Sequence, residues 1–356
     1  MGGRRQLWQG RRARWRQAQK RQQARGRAGV TLAGILAAGL AAGLAGSPTA
    51  QAATTHAGGP AARATTAQAG SPLARAAIKP GGPGRDRWGQ LGGPAGPGQP
   101  PLVTPPVPEL RRAICVSAKH PKLAARLARN ITSAVHGRHS AVGLAVADPR
   151  LELACRLDRA SHFYAASVIK VTIISALLRK VGGRAHMTKR QRSLAWAMIT
   201  RSDNDAATAL WDEVGLRHLD RFLSLAGMTH TRLDWGAWGL SRLTAQDELT
   251  LLKLLTSPGK VLSTRSRHYV LYLMAHVIAS QRWGVPAGAR GVTVHVKNGW
   301  LPYPGADWRI NSIGAFNGRG TAYQVAVLTA GSPSMSYGIA TIQAAARVIN
   351  RDIREA

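Results

Sequence analysis

The chain has 356 residues and carries 49 Lys and Arg against 16 Asp and Glu, a formal net charge of +33. Apolar residues make up 45% of it, which permits a core and argues against a fully disordered chain. Two cysteines are too few for a four-cysteine zinc site or an iron–sulfur cluster, and no His-Glu-x-x-His pair occurs, so we expect neither metal nor cofactor. The excess charge indicates attraction to polyanions, and an Arg-rich solvated surface is the alternative.

The first segment, residues 1–52, has the three parts of an export leader. A basic stretch ends at Arg27, an uncharged apolar run spans residues 28–45, and Ala50-Gln51-Ala52 forms a small-residue cleavage site. We therefore predict a signal peptide and a secreted or extracytoplasmic protein. The apolar run is short and rich in Gly and Ala, and a membrane tether through residues 28–45 is the alternative.

The second segment, residues 53–108, is predicted to be a disordered linker. Ala, Gly, Pro and Thr dominate it, and aliphatic residues follow no helical or strand period. Such a segment cannot bury enough apolar surface to offset the entropy of ordering the chain. It would let a folded domain stand off from a surface.

The third segment, residues 109–356, is predicted to be one folded domain. The hydrophobic spacing predicts a helix over about residues 121–136, followed by a hairpin with strands at 141–146 and 151–157. A block of helices then follows, at about residues 166–180, 189–200, 204–213, 216–226, 244–256 and 264–279. Strands at about 292–297, 310–317 and 322–330 and a helix at 336–353 end the chain. This order predicts an α/β fold of the α+β sandwich type, with an antiparallel sheet flanked by helices and an all-helical insertion.

The two cysteines, Cys115 and Cys155, lie before the first helix and on the second strand of that domain. In an exported chain a disulfide between them would stabilise the fold by about 4 kcal/mol on the chain-entropy estimate. Two buried free thiols are the alternative, and the sequence leaves both open.

The strongest chemical signal is the pair Ser167 and Lys170. Lys170 is the only charged residue in the run FYAASVIKVTIISALL, residues 163–178, so this helix should be buried and its ammonium desolvated. Ser167 lies three residues earlier, on the same helical face, where a lysine of depressed pKa can take the hydroxyl proton. The pattern alone is weak, since it recurs at Ser257–Lys260, and a lysine that snorkels out of a packed helix is the alternative.

Two further motifs follow in the chain. Ser202-Asp203-Asn204 lies at a junction between a loop and a helix, where it would otherwise serve as an N-cap cluster. Lys297-Asn298-Gly299-Trp300 ends a predicted strand, where Gly299 allows close backbone approach by a ligand.

Ser-x-x-Lys on a buried helix, then Ser-Asp-Asn, then Lys-x-Gly on a strand resembles the motif set of class A β-lactamases and penicillin-binding proteins. The resemblance covers about residues 113–354 and implies that the fold is that of these serine hydrolases. It implies Ser167 as the acyl-accepting nucleophile, Lys170 as its base and Ser202 as the proton relay to the leaving nitrogen. Asn204 would then hold the substrate amide.

The same resemblance implies a role for the third motif. Lys297 would supply positive potential, Gly299 and Trp300 would line the substrate site, and the backbone N–H groups of Ser167 and Trp300 would form the oxyanion hole. Asn298 stands where the family carries Thr or Ser, so recognition of the substrate carboxylate is altered. Arg309 is the substitute we predict for it.

A second difference from the family pattern, after that at Asn298, concerns the loop after Asp234. Class A enzymes carry there a Glu that positions the deacylating water, whereas residues 235–241 read Trp-Gly-Ala-Trp-Gly-Leu-Ser. Acylation should survive and turnover should be slow. Asp247 and Glu248, just beyond this loop, are interpreted as first-turn acids of a helix capped by Thr244.

Four tryptophans fall in segments predicted to border the cleft, where they either floor a site for a ring-shaped ligand or simply pack: Trp235, Trp238, Trp300 and Trp308.

The leading hypothesis is therefore an exported serine hydrolase acylated at Ser167 by β-lactams or related amides, nominally a class A-like β-lactamase with slow deacylation. The alternatives are a D-alanyl-D-alanine peptidase or transpeptidase, and a non-catalytic cell-wall binding module of the same fold. The expected substrate is a β-lactam or a peptidoglycan stem peptide, and an anionic cell-wall polymer is a candidate partner. We expect a monomer and no specific nucleic acid partner.

Overall fold

The computed structural model describes residues 112–302 and 307–356. The predicted leader and linker lie outside these ranges, so both stay predictions. Among the described residues, none of the helices combines the length and the apolar character needed to cross a membrane.

A six-stranded antiparallel sheet forms the centre of the described domain, in the order β1-β3-β2-β8-β7-β6. Its strands are β1 Ile114–Val116, β2 Ala141–Asp148, β3 Leu153–Leu157, β6 Thr293–Pro302, β7 Trp308–Gly318 and β8 Thr321–Ser332. Two short strands pair separately, β4 Phe163–Tyr164 with β5 Arg242–Leu243. The predicted fold class is confirmed, although β1, β4 and β5 were not predicted because strands of two or three residues carry too little alternation to detect.

Eight α-helices accompany the sheet in the described part of the chain. They are α1 Pro121–Val135, α2 Ile169–Val181, α3 Lys189–Thr200, α4 Asn204–Val214, α5 Leu216–Ala226, α6 Ala245–Thr256, α7 Thr264–Ala275 and α8 Met335–Arg354. Most of their boundaries fall within two residues of the predicted ones.

The helices form a layer on each face of the sheet. Neighbouring residues of β8 point in opposite directions, because Tyr323 donates its hydroxyl hydrogen to Asn350 of α8 while Gln324 donates its amide hydrogen to Thr256 of α6. The helix α8 therefore covers one face and the insertion covers the other. This second face also carries the residues of the three motifs.

The helix α2 is the centre of the insertion, and its sequence explains its position. All residues from Ile169 to Leu178 are buried, as the uninterrupted apolar run predicted. The helix ends at Gly182, whose φ of +79° is a conformation that glycine adopts without steric cost. The chain then starts α3 at a capping box in which Thr188 and Gln191 satisfy each other's backbone N–H groups.

The prediction of a helix over residues 264–279 is wrong in its last turn. The helix α7 ends at Ala275, and the backbone N–H of Ile278 donates to the carbonyl of Thr200 at 3.0 Å instead of continuing the helix. This bond ties the segment after α7 to the end of α3, directly before Ser202. A tertiary contact thus ends the helix where the sequence alone favours continuation.

The two cysteines form a disulfide between β1 and β3, where Cys115 and Cys155 are direct cross-strand partners. Of the two alternatives that the sequence left open, the paired one is present. The bond closes a loop with a sequence separation of 40 residues and fixes the short edge strand β1 to the sheet.

Candidate active site

The predicted nucleophile lies in a tightly held turn. Ser167 is the middle residue of a 3-10 turn, Ala166–Val168, that leads directly into α2, and it is 8% exposed. Ala166 has a φ of +46°, a left-handed conformation that costs a non-glycine residue roughly 1–2 kcal/mol. Such strain persists only where surrounding contacts enforce it, and it clusters at functional sites.

Two contacts enforce the turn, and sequence reasoning missed both. Asn311 of β7 donates its amide hydrogens to the carbonyls of Tyr164 and Ala165, at 2.8 and 3.1 Å. The backbone N–H of Ala165 donates to the carbonyl of Ser241 at 2.8 Å. The signal that could have drawn attention to Asn311 was a polar side chain between the apolar residues of its strand, although Arg309 and Ser312 share that signal.

Gly299 lies where β6 passes closest to the nucleophile. A Cβ on Gly299 would lie 2.7 Å from the backbone nitrogen of Ser167 and 3.0 Å from that of Val168. Side-chain atoms do not come this close to backbone, so the position requires glycine. The predicted close approach is present, but the group that approaches is the turn of the nucleophile itself. Trp300 follows immediately, as the two-donor oxyanion arrangement requires.

Lys170 is fully buried and its ammonium has three hydrogen-bond acceptors. Its Nζ donates to the carbonyl of Ser202 at 2.7 Å, to Ser202 Oγ at 3.1 Å and to Asn204 Oδ1 at 2.7 Å. Desolvation by burial, reinforced by the positive charge of Lys297, holds the pKa of Lys170 well below its usual value, while Asp203 opposes the shift. The snorkelling alternative is therefore wrong, because the side chain stays inside the domain.

Ser202 joins the two lysines. Lys297, at 0% exposure, donates from Nζ to Ser202 Oγ at 3.0 Å and to the carbonyl of Asn298 at 2.8 Å. Burial lowers the pKa of Lys297 to about 7. Ser202 Oγ accepts from both Lys170 and Lys297, which leaves its own hydrogen free to be donated to a leaving group.

The Ser202 backbone is also strained, with φ of +56°. Asp203 follows as the N-cap of α4 and accepts the backbone N–H of Ala206 at 2.7 Å. The N-cap alternative therefore holds for Asp203 alone, since Ser202 and Asn204 both contact Lys170. The structure thus brings Lys170, Ser202, Asn204 and Lys297 together beside the turn of Ser167.

The other two predicted substrate contacts have a different status. Asn298 is fully buried, and its amide donates to the carbonyls of Gln281 and Trp283, each at 2.8 Å. Both amide hydrogens of Asn298 are thus used in hydrogen bonds within the protein, and a contact of Asn298 with the substrate stays a prediction. Arg309 pairs with Leu301 in the register of β6 and β7. Alternation along the strands puts Arg309 on the face that carries Lys297 and Gly299, as its predicted role requires.

The loop after Arg232 reaches the site through Trp238. Two backbone hydrogen bonds between Arg232 and Arg242, at 2.7 and 2.8 Å, close the base of the loop, and Asp234 Oδ1 accepts two backbone N–H groups within it. Trp238 is 2% exposed, and its ring centroid lies 4.8 Å from Lys170 Nζ. An indole face therefore lies beside the ammonium, in the loop where the sequence predicted a missing carboxylate.

The other tryptophans of the predicted cleft differ in exposure. Trp235, at the tip of the loop, is 75% exposed, whereas Trp300 and Trp308 are half-buried. Trp300 packs against Trp283, with ring centroids 5.9 Å apart, a contact that the sequence did not reveal.

Asp247 and Glu248 lie in the first turn of α6 as predicted, but both are buried. Asp247 accepts the backbone N–H of His230 at 2.9 Å and the hydroxyl of Thr231 at 2.8 Å. Neither carboxylate oxygen of Glu248 has a hydrogen-bond partner among the described residues. Burial and the neighbouring Asp247 raise the pKa of Glu248 to about 8.

Comparisons with known proteins agree with this fold. A family model described as "Beta-lactamase enzyme family" matches residues 183–353, a range that begins after Ser167 and Lys170. The solved structure of PBP-A is 21% identical, with a TM-score of 0.57, over 65% of this chain and 97% of that one. A β-lactamase from Sphaerobacter thermophilus is 20% identical, with a TM-score of 0.56, over 64% and 97% of the two chains. A search of curated proteins finds no significant match.

The described domain has the fold of the β-lactamase-like serine hydrolases, and the likeness to these solved structures extends over nearly all of their length. The family match over residues 183–353 and these solved structures make the chain similar to the serine β-lactamase-like family.

Proposed function

We propose that the protein is a serine hydrolase that is acylated at Ser167 by β-lactams or related amides and deacylates slowly. The observation that carries the proposal is the network of Lys170, Ser202 and Lys297 beside the turn of Ser167. A structure of a PBP-A mutant, similar in fold, is described as an acyl-enzyme complex with penicillin G, which makes a penicillin the natural first probe.

The contacts support a simple acylation sequence. Ser167 Oγ attacks the amide carbonyl while its proton passes to the neutral amine of Lys170. The carbon–nitrogen bond breaks as Ser202 donates its proton to the leaving nitrogen, and the proton on Lys170 restores the hydroxyl of Ser202. The developing oxyanion is stabilised by the backbone N–H groups of Ser167 and Trp300.

Slow deacylation follows from the composition of the loop 235–241. Hydrolysis of the ester requires a group that takes a proton from the attacking water. The loop itself carries no acid, and Asp234, which precedes it, has Oδ1 engaged by Gly236 and Ala237. This feature also favours the transpeptidase form of the second candidate, a D-alanyl-D-alanine peptidase or transpeptidase, because a transpeptidase passes its acyl group to an acceptor amine instead of to water.

The test is intact-mass spectrometry of the full chain after seconds and after hours with a penicillin. We expect an adduct of the mass of the drug that persists for hours, and no adduct on the Ser167→Ala variant. Drug destruction without a lasting adduct would contradict slow deacylation and make the protein a working β-lactamase.

No adduct with intact drug would refute acylation by β-lactams. It would favour an unrelated amide substrate or the non-catalytic cell-wall binding module. Retention of wild type and Ser167→Ala on isolated cell wall distinguishes these two, because a binding module retains both equally. Release of D-alanine from a stem peptide ending in D-alanyl-D-alanine tests the peptidase alternative.

We further propose that the protein is exported through the leader at residues 1–52 and acts as a monomer outside the cytoplasm. The net charge of +33 supports an anionic cell-wall polymer as a partner. Mass analysis of the protein secreted by its host tests cleavage after Ala52, and an intact leader would support the tether through residues 28–45.

A further inference from the structure

The proposed acylation sequence gives Trp238 no role. It is one of the largest fully enclosed side chains of the described domain, and its ring covers the ammonium of Lys170 at 4.8 Å. Its indole N–H donates to Thr208 Oγ1 of α4 at 3.2 Å. The ring is thus anchored to the helix that begins at Asn204, whose side chain also contacts Lys170.

The backbone of the loop holds this ring in place. Trp238 begins a 3-10 turn that ends at Leu240, and the next residue, Ser241, accepts the N–H of Ala165 beside the nucleophile. The loop is short and closed at its base by the Arg232–Arg242 pair. The indole therefore cannot move away without breaking contacts to the nucleophile turn.

The ring excludes water from one side of Lys170. The three hydrogen-bond acceptors of its Nζ lie on Ser202 and Asn204, and the carbon face of the indole lies against the same ammonium. The ring occupies the space beside the amine of Lys170 in either protonation state, and it holds the ammonium electrostatically when the lysine is protonated. A water that is to attack an ester on Ser167 needs a polar partner near this amine.

We propose that Trp238 is a positioning residue that keeps Lys170 directed at Ser202 and keeps hydrolytic water away from it, and so sets the lifetime of the acyl-enzyme. The inference rests on the proposed acylation of Ser167. Trp238 suppresses the hydrolysis of the acyl-enzyme. In that step the oxygen of a water molecule bonds to the acyl carbon, and a proton of the water passes to the Nζ of Lys170. The bond from carbon to Ser167 Oγ then breaks and Oγ takes that proton, which releases the free acid.

Trp238→Leu removes the ring and leaves Thr208 Oγ1 and Lys170 Nζ facing the vacated space. A cavity with polar partners admits water, whereas an apolar one stays dry. We expect the adduct still to form on Ser167, and we expect it to be hydrolysed faster by about tenfold or more. Trp238→Phe keeps an aromatic face over the ammonium and should retain the long lifetime.

The matched control is Trp211→Leu, which makes the same change at a buried tryptophan near the C-terminal end of α4. General loosening of the helices would accelerate hydrolysis in this variant as well, and that result would overturn the proposal. Unchanged hydrolysis in Trp238→Leu would also overturn it while leaving the acylation of Ser167 intact. No adduct on the wild type would instead refute the proposed function itself.

A fourth variant keeps the test decisive if Trp238→Leu fails to unfold cooperatively. Thr208→Val removes the acceptor of the indole N–H without changing the ring. Release of this anchor should accelerate hydrolysis of the adduct by about threefold or more. Equal lifetimes in Thr208→Val and wild type would then refute the role of Trp238.

Discussion

Glu248 provides a quantitative test of the packing, because the fold buries this acid completely. The side chain is 0% exposed in the first turn of α6, and both carboxylate oxygens lack hydrogen-bond partners among the described residues. Burial, reinforced by Asp247, raises its pKa from 4.5 to about 8. The folded protein therefore holds a proton on Glu248 at neutral pH.

A raised pKa makes the free energy of unfolding fall as the pH rises. At pH values below 4.5, the pKa of Glu248 in the unfolded chain, the folded and the unfolded protein both bind the proton, and Glu248 contributes no pH dependence. Between pH 4.5 and about 8 the unfolded chain has lost the proton and the folded protein keeps it, so stability falls by up to about 1.4 kcal/mol per pH unit. Integrated from pH 4.5 to pH 8.5, this loss amounts to about 4 kcal/mol.

Glu248→Leu removes the titrating group and fills its site with an apolar side chain. We expect the gain in unfolding free energy over wild type to be about 4 kcal/mol larger at pH 8.5 than at pH 4.5. Urea unfolding followed by far-ultraviolet circular dichroism, repeated across this range, measures the difference. Subtracting the two curves cancels the titration of the groups that do not interact with Glu248.

The control is Asp220→Asn, which removes one negative charge from an exposed position. Its stability relative to wild type should change by no more than about 0.5 kcal/mol across the same range. A flat difference curve for Glu248→Leu would mean that the carboxylate is ionised and stabilised in the folded protein, and the reasoning would be refuted.

Three further predictions concern the site and the sheet. Gly299→Ala should slow acylation by about a hundredfold or more, because the added Cβ would lie 2.7 Å from the backbone nitrogen of Ser167. Stopped-flow kinetics measures the acylation rate, and an unchanged rate would contradict the geometry. Replacing Cys115 and Cys155 together by Ala should lower the unfolding free energy by about 4 kcal/mol, and equal denaturation midpoints with and without reductant would show that the bond does not stabilise the fold. The acylation rate should rise with pH and level off well below pH 10.5, because Lys170 must be neutral to take a proton and burial lowers its pKa. A rate that rises only near pH 10.5 would mean that the lysine is solvated.

Local patterns in the sequence determined much of this protein. The apolar run of α2 predicted a buried helix with Lys170 inside it, and alternation and turns predicted the longer strands of the sheet. These signals lie within a few residues of one another, so helical and strand periods reveal them. The order of the three motifs predicted the fold and four of the residues that the structure assembles around Ser167.

Tertiary structure alone decided which groups touch. Lys170 and Ser202 are 32 residues apart, Ser202 and Lys297 are 95 apart, and Asn311 holds a carbonyl 147 residues earlier in the chain. No local period encodes such contacts, because they arise when strands and helices from distant segments pack on one face of the sheet. The indole over Lys170, the amide of Asn298 turned toward its own chain and the buried carboxylate of Glu248 follow from that packing. Each depends on the surroundings that distant residues create.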